Sequence, residues 1–242
     1  MRTSLLLSLL VILFTSCSKY QYYTLSSDNV SKDQKQQFVA ENDVCKITYN
    51  FSGAKGPISI SVYNKTQKPL QVDWKRSALI IGDSSTSLFE PEMKFSGAIE
   101  RNRYAINQNV NGIITQPESI DFIPPQSSVT NQTRWVGVKL LKPDPAKGQE
   151  LKTARQKIRL YKFTKEQSPV VFRSWLTLLT DNVPVYFDHS FYASEMIETQ
   201  AAPSKLGANT ADRFYIKGKT DFGKVSTAVF GIGITILLIA AL

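Results

Sequence analysis

Cys45-Lys-Ile-Thr-Tyr-Asn-Phe51, Ile58-Ser-Ile-Ser-Val-Tyr63 and Leu70-Gln-Val-Asp-Trp74 are runs in which apolar and polar residues alternate. Alternation with period two gathers one set of side chains on one face of an extended chain, which a helix cannot do. Between the second and third runs lies Asn64-Lys-Thr-Gln-Lys-Pro69, polar and rich in turn formers. The chain is therefore expected to go strand, turn, strand here, as a hairpin or as a corner.

The same reading extends outward in both directions. Leu79-Ile-Ile81 and Ser87-Leu-Phe89 flank a Gly82-Asp83 turn signal, and Ile120–Ile123 stops at Pro124-Pro125. Val129–Leu141, Ile158–Phe163, Val170–Leu179 and Val183–Ile197 are further strand candidates, with one helical turn as the alternative for Trp175–Leu179. Short strands with frequent turns predict a mainly β fold, a single sandwich domain over residues 38–200.

The two ends of the chain read differently. Arg2 precedes an apolar run, Leu5–Phe14, that ends in Thr15-Ser16-Cys17. Charge, short apolar core and small residues are the order of a secretory signal. About ten residues of helix cover roughly 15 Å, too little for a bilayer core of about 30 Å. Residues 1–16 are thus expected as a removed signal, with an ordinary signal peptide and a chance cysteine as the competing reading. Ser18–Gln37, polar and without a clear apolar period, reads as a tether, and residues 201–224 read as a second linker. Val225–Leu242 contains neither charge nor proline. As helix it is about 27 Å long, enough to span untilted, so a C-terminal transmembrane helix is expected, against a core helix as the alternative. Thr227, Gly231 and Thr235 place small residues on one face of it.

The net charge is +9, and it is unevenly spread. Between Arg134 and Lys165 ten cations stand against Asp144 and Glu150. Lys152, Arg155, Lys157 and Arg159 lie at the centre of this stretch and are the candidate contacts for an anionic partner, against a solvated surface as the plainer reading. Such a partner is an anionic envelope polymer, anionic lipid or an acidic protein. Nucleic acid does not fit an exported chain with no zinc-finger spacing and no RNA-binding strand motif.

Phe14-Thr-Ser-Cys17 resembles the lipobox of bacterial lipoproteins, with Phe14 where Leu is usual. That resemblance implies that the Cys17 thiol carries a diacylglycerol and that the bond before it is cut. With the Tyr20-Gln-Tyr-Tyr23 run, Cys45–Asn50 and Val62-Tyr-Asn-Lys-Thr66, the chain is similar to small envelope lipoproteins of Bacteroidetes. Tyr63–Leu70 also looks like the strand-turn-strand of immunoglobulin-like sandwiches. These likenesses imply a lipid-anchored envelope protein with no assigned reaction. Ser18 rather than Asp after Cys17 implies outer-membrane sorting, and the lack of an acidic run there implies a domain facing the periplasm. The hydrophobic tail points instead to the inner membrane.

Few residues offer catalytic chemistry. His189 is the one histidine, which excludes multi-histidine zinc sites, and Asp188, His189 and Ser190 are sequence neighbours that alternate faces in a strand. No metal or cofactor site is expected. Ser52-Gly-Ala-Lys55 matches a serine-acylase fragment without its companion motifs. Cys45, left alone if Cys17 is lipidated, reads as a small buried apolar residue. The expected function is a non-catalytic, membrane-anchored lipoprotein that binds or scaffolds an envelope component. The alternative is a polysaccharide hydrolase using two carboxylates among Glu90, Glu92, Glu100, Glu118 and Asp121.

Overall fold

The structure, a computed structural model, describes residues 18–90, 92–99, 108–115, 118–153, 156–206 and 210–219. Cys17, Arg155 and the 225–242 tail lie outside the described residues. Among those described, no helix is long and apolar enough to cross a membrane.

The chain is mainly β. Its strands are β1 (Ser18–Ser26), β2 (Ser31–Lys32), β3 (Phe38–Glu41), β4 (Cys45–Asn50), β5 (Gly53–Ala54) and β6 (Pro57–Asn64). They continue with β7 (Leu70–Asp73), β8 (Ala78–Ile81), β9 (Ser84–Ser87), β10 (Glu92–Ile99), β11 (Gln108–Thr115) and β12 (Ile120–Ile123). The last six are β13 (Ser128–Trp135), β14 (Gln149–Thr153), β15 (Gln156–Lys162), β16 (Val171–Thr180), β17 (Val183–Thr199) and β18 (Arg213–Lys219). A four-residue helix, α1 (Pro203–Leu206), precedes β18.

An eleven-stranded sheet runs β12-β7-β16-β17-β1-β18-β5, with β15 and β14 also joined through β17, and β8 and β9 through β16. A five-stranded sheet runs β13-β6-β4-β3-β2, and β10 and β11 pair as a two-stranded sheet. The alternating residues of β4 and β6 explain the second sheet. Cys45, Ile47 and Tyr49 are buried on one face, opposite Asn64, Val62 and Ile60. Both sheets contribute to one apolar cluster, in which Phe38 and Tyr49 meet Phe191 at 5.1 and 5.0 Å between ring centres, and Phe51 meets Phe172 at 5.6 Å. Edge-to-face aromatic pairs at such distances add to the plain burial of their area.

Residues 64–69 make a corner. β6 lies in the five-stranded sheet and β7 in the other. Asn64 organises the turn: its fully buried amide donates to Lys68 O at 2.7 Å and Ile123 O at 3.1 Å, while its Oδ1 accepts from Thr66 N. β12 matches its expected bounds, and β8 and β9 form a hairpin about Gly82-Asp83. The 175–179 segment is strand, inside β16. β13 ends at Trp135, short of the expected Leu141.

Two corrections concern the expected tether and linker. Residues 18–26 are an inner strand, paired with β17 on one side and β18 on the other. Tyr20, Tyr22, Tyr23 and Leu25 are all buried. A strand covered on both faces shows no alternation, which is why this run reads as patternless. Tyr23 and Leu25 enter the main cluster, whereas Tyr20 and Tyr22 form a smaller one against Leu206, Ala202 and Tyr215. Within the expected linker, Arg213–Lys219 is β18, with Phe214 and Ile216 buried. Phe214 stacks on Tyr23 at 5.1 Å.

Tyr23→Ala is expected to cost about 3–5 kcal/mol, the usual loss for truncating a buried aromatic residue. Urea unfolding measures it; a free tether would leave the midpoint unmoved.

Candidate functional site

The ends of β1, β14, β15 and β18 converge. Tyr20 pairs with Thr199 of β17 and with Lys217 of β18, and Ser18 pairs with Lys219. On the other side of β17, Arg159 pairs with Glu198, and Thr153 of β14 pairs with Gln156 of β15. Counted from Thr199, the residues Ser18, Lys219, Gln156 and Thr153 all fall on the second rung beyond it. Five neighbouring strands about 4.8 Å apart therefore form a rim about 19 Å wide.

This rim is basic. Lys152 stands directly opposite Lys157, and Lys19, Lys217 and Lys219 belong to β1 and β18. Lys19 is held by Glu198 at 2.8 Å. Two rungs inward from the Lys152 and Lys157 pair, the Arg159 guanidinium lies 3.6 Å from Glu150. Of the four expected contact residues, then, Lys152 and Lys157 share the rim and Arg159 is joined to an acid. The wider basic stretch is dispersed. Arg134 is bound into the fold, donating to Ser87 O at 2.7 Å, Glu90 at 2.6 Å and Phe89 O at 3.0 Å, and Lys165 pairs with Asp28.

Close to the rim, Gln21 satisfies its buried amide completely. Its Nε2 donates to Leu141 O at 2.8 Å and to Glu198 at 3.2 Å, while its Oε1 accepts from Leu141 N and from the Tyr23 hydroxyl. This fastens the irregular segment that contains Leu141 to β1. Leu140 then covers Gly218, where a Cβ would meet its Cδ2 at 2.7 Å.

An exposed apolar face occupies the opposite end of the large sheet. Phe122, Gln71, Leu179 and Pro184 form one row across β12, β7, β16 and β17. Alternation puts Ile120, Trp175 and Tyr186 on the same face. Phe122 is 59% exposed and Tyr186 56%, and Tyr186 lies 5.5 Å from Trp175 between ring centres. β17 spans about 50 Å at a strand rise of about 3.3 Å per residue, and separates this face from the rim.

Several other reactive side chains among the described residues are engaged by the fold. His189 is buried, with Nδ1 2.7 Å from the Tyr49 hydroxyl, which itself lies 3.4 Å from Ser174 Oγ. Burial lowers the His189 pKa, with Asp188 opposing, and burial raises that of Tyr49. Burial pushes the Cys45 thiol up to about 11, against a smaller opposing pull from Lys65. Glu90 carries Arg134, and Asp121 accepts from the Trp74 indole at 2.7 Å. Lys55, of the Ser52–Lys55 fragment, sits in a left-handed turn conformation and donates its backbone N–H to Tyr215 O. A shallow open depression lies among Ser27, Asp28, Asn29, Val39 and Glu41.

The His189 environment has a measurable consequence. The unfolded chain binds a proton near pH 6.5 and the folded chain resists it to lower pH. Stability is therefore full above pH 6.5 and falls as pH drops through the lowered folded value. Urea midpoints should decline between pH 7 and pH 5 in the wild type and decline less in His189→Gln.

Sequence reasoning missed β18, although Phe214 and Ile216 alternating with Tyr215 and Lys217 carried the signal. It missed the apolar face because Phe122 and Tyr186 lie far apart in the chain. No protein-family model matches the chain, and no curated protein or solved structure is significantly similar to it.

Proposed function

We propose that this chain is a non-catalytic lipoprotein of the bacterial cell envelope, held to one membrane at both ends, that presents its distal face to another envelope component. One observation carries the reading: Ser18 and Lys219 are paired neighbours on adjacent strands. Ser18 directly follows the cysteine proposed to carry lipid. Five residues separate Lys219 from the apolar run at 225, and five extended residues reach at most about 18 Å. Both attachments therefore leave the domain side by side and fit the same bilayer. Had they left from opposite ends, about 50 Å of strand would have separated them.

We read the body as a sandwich of the immunoglobulin-like kind, supported by the aromatic core shared between its two sheets. Its sheets exceed the about seven to nine strands of that family, so the likeness lies in the layered packing. The scaffold part of the reading rests on the apolar face around Phe122 and Tyr186, since contiguous exposed apolar surface marks interaction sites. The membrane is proposed to be the outer one, with the domain facing the periplasm, or the inner one.

Cys17→Ser is expected to abolish labelling by radioactive palmitate and to block signal removal. Unchanged labelling would overturn the lipid anchor. Carbonate washing of the same variant, fitted with an ordinary cleavable signal, tests the tail. Retention in the membrane is expected, and release would return 225–242 to the domain.

The distal face is tested in cells by a photocrosslinking residue at Phe122 or at Tyr186. Both sites should give the same discrete adduct, while a site at Ser61 on the other sheet should not. Adducts equal at all three sites would remove the apolar face from the proposal.

A further inference from the structure

We infer that the basic rim, made of the β14–β15 hairpin and the end of β18, rests on anionic phospholipid head groups of the bilayer that holds the protein. This rests on the anchoring proposed above and names what the rim touches.

The first support is position. Lys152 and Lys157 lie one rung beyond Thr199, level with Lys19, and Lys219 lies level with Ser18. Anything that holds the chain to a bilayer at the residue before Ser18 also brings this rim to the bilayer surface. A soluble polyanion or an acidic protein would have to enter between the domain and the membrane, whereas head groups are already there.

The second support is the charge arrangement along the hairpin. Glu150 opposite Arg159 is a complementary cross-strand pair. Two residues further out along the hairpin, Lys152 is the register partner of Lys157. Like charges directly opposite each other destabilise a sheet. The complementary order of residue types along the hairpin therefore gives way to like residues at the rim, the place where an outside anion offsets their charge. Lys217 adds an exposed cation on β18, on the far side of β1. Lys19 is already neutralised by Glu198 and contributes little.

The third support is physical scale. Attraction between exposed charges decays over about 8 Å at physiological salt, so a basic surface acts only where a membrane approaches closely. Tethering supplies that approach without any affinity of the rim itself, because a linked site works at high effective concentration. A few lysines, too weak to recruit a free protein, suffice to fix the tilt of an anchored one.

The test uses the full processed chain in vesicles of phosphatidylcholine alone or of phosphatidylcholine with phosphatidylglycerol. Flotation first establishes that the protein is held by both. Hydrogen exchange is then followed at the amides of β14 and β15. Exchange there is expected to slow several-fold with phosphatidylglycerol, and the protection should vanish in high salt. It should also vanish in Lys152→Glu/Lys157→Glu/Lys217→Glu and fall in the corresponding Gln variant, while β4 and β6 exchange as before and report an intact fold. Equal exchange in both vesicle types overturns the inference. So does protection that is equal in both and insensitive to salt, which marks apolar immersion. Protection produced by dextran sulfate on phosphatidylcholine vesicles, with none from phosphatidylglycerol, also overturns it and assigns the rim to a soluble polyanion. A protein that does not float with either vesicle removes the anchoring itself, and the inference with it.

Discussion

The hydrogen-bond ladder along β17 is the constraint on which the large sheet depends. Its seventeen residues carry β16 along the first part, then β15 and β1 on opposite edges of the second. Where β1 leaves at Ser26, Asn29 continues the edge with its side chain, donating to Asp188 O at 2.8 Å and accepting from Ser190 N at 3.0 Å. One bulge interrupts the ladder between β1 and β17. Thr24 pairs with Glu195 and Leu25 with Ala193, so Ser194 is the extra residue. The inward set shifts there from Phe191 and Ala193 to Met196, and the strand stays buried through the bend.

From that strand the ends of the molecule acquire different characters. At the Thr199 end, β1 and β18 run side by side to a common rung and the β14–β15 hairpin joins them. At the Val183 end, β16, β7 and β12 extend the sheet sideways; their inward residues Leu178, Val72, Leu70 and Ile123 stay buried in the core, and apolar residues are left exposed on the outer face. A charged end beside the two proposed membrane attachments and an apolar face at the far end give the proposed lipoprotein a polarity.

The core supports this arrangement with polar groups that are bonded inside it. His189, Tyr49 and Ser174 form a polar chain inside the aromatic cluster, and two of the five acids considered for hydrolysis, Glu90 and Asp121, hold Arg134 and Trp74 in position. Polar groups buried this way must be bonded, and when bonded they fix one packing over its alternatives. Gln21 does the same at the rim, where its four bonds join β1, β17 and the segment at Leu141.

The amino-acid sequence by itself determined the mainly β class, the strands at 45–50, 57–64, 70–73 and 120–123 and the turn around Gly82, because alternation and turn chemistry are local properties. It also marked the apolar ends of the chain and the excess of lysine and arginine near residue 155. It misread Ser18–Ser26, since a strand buried on both faces carries no period, and it passed over Arg213–Lys219 inside a polar surrounding. Only the tertiary structure decided which sheet each strand joined, and that 64–69 turns a corner. It decided too that Arg134 and Lys165 serve internal contacts while Lys152 and Lys157 stand at the rim. These outcomes depend on pairings between segments more than a hundred residues apart, such as β1 with β17, and no local pattern encodes a partner at that separation.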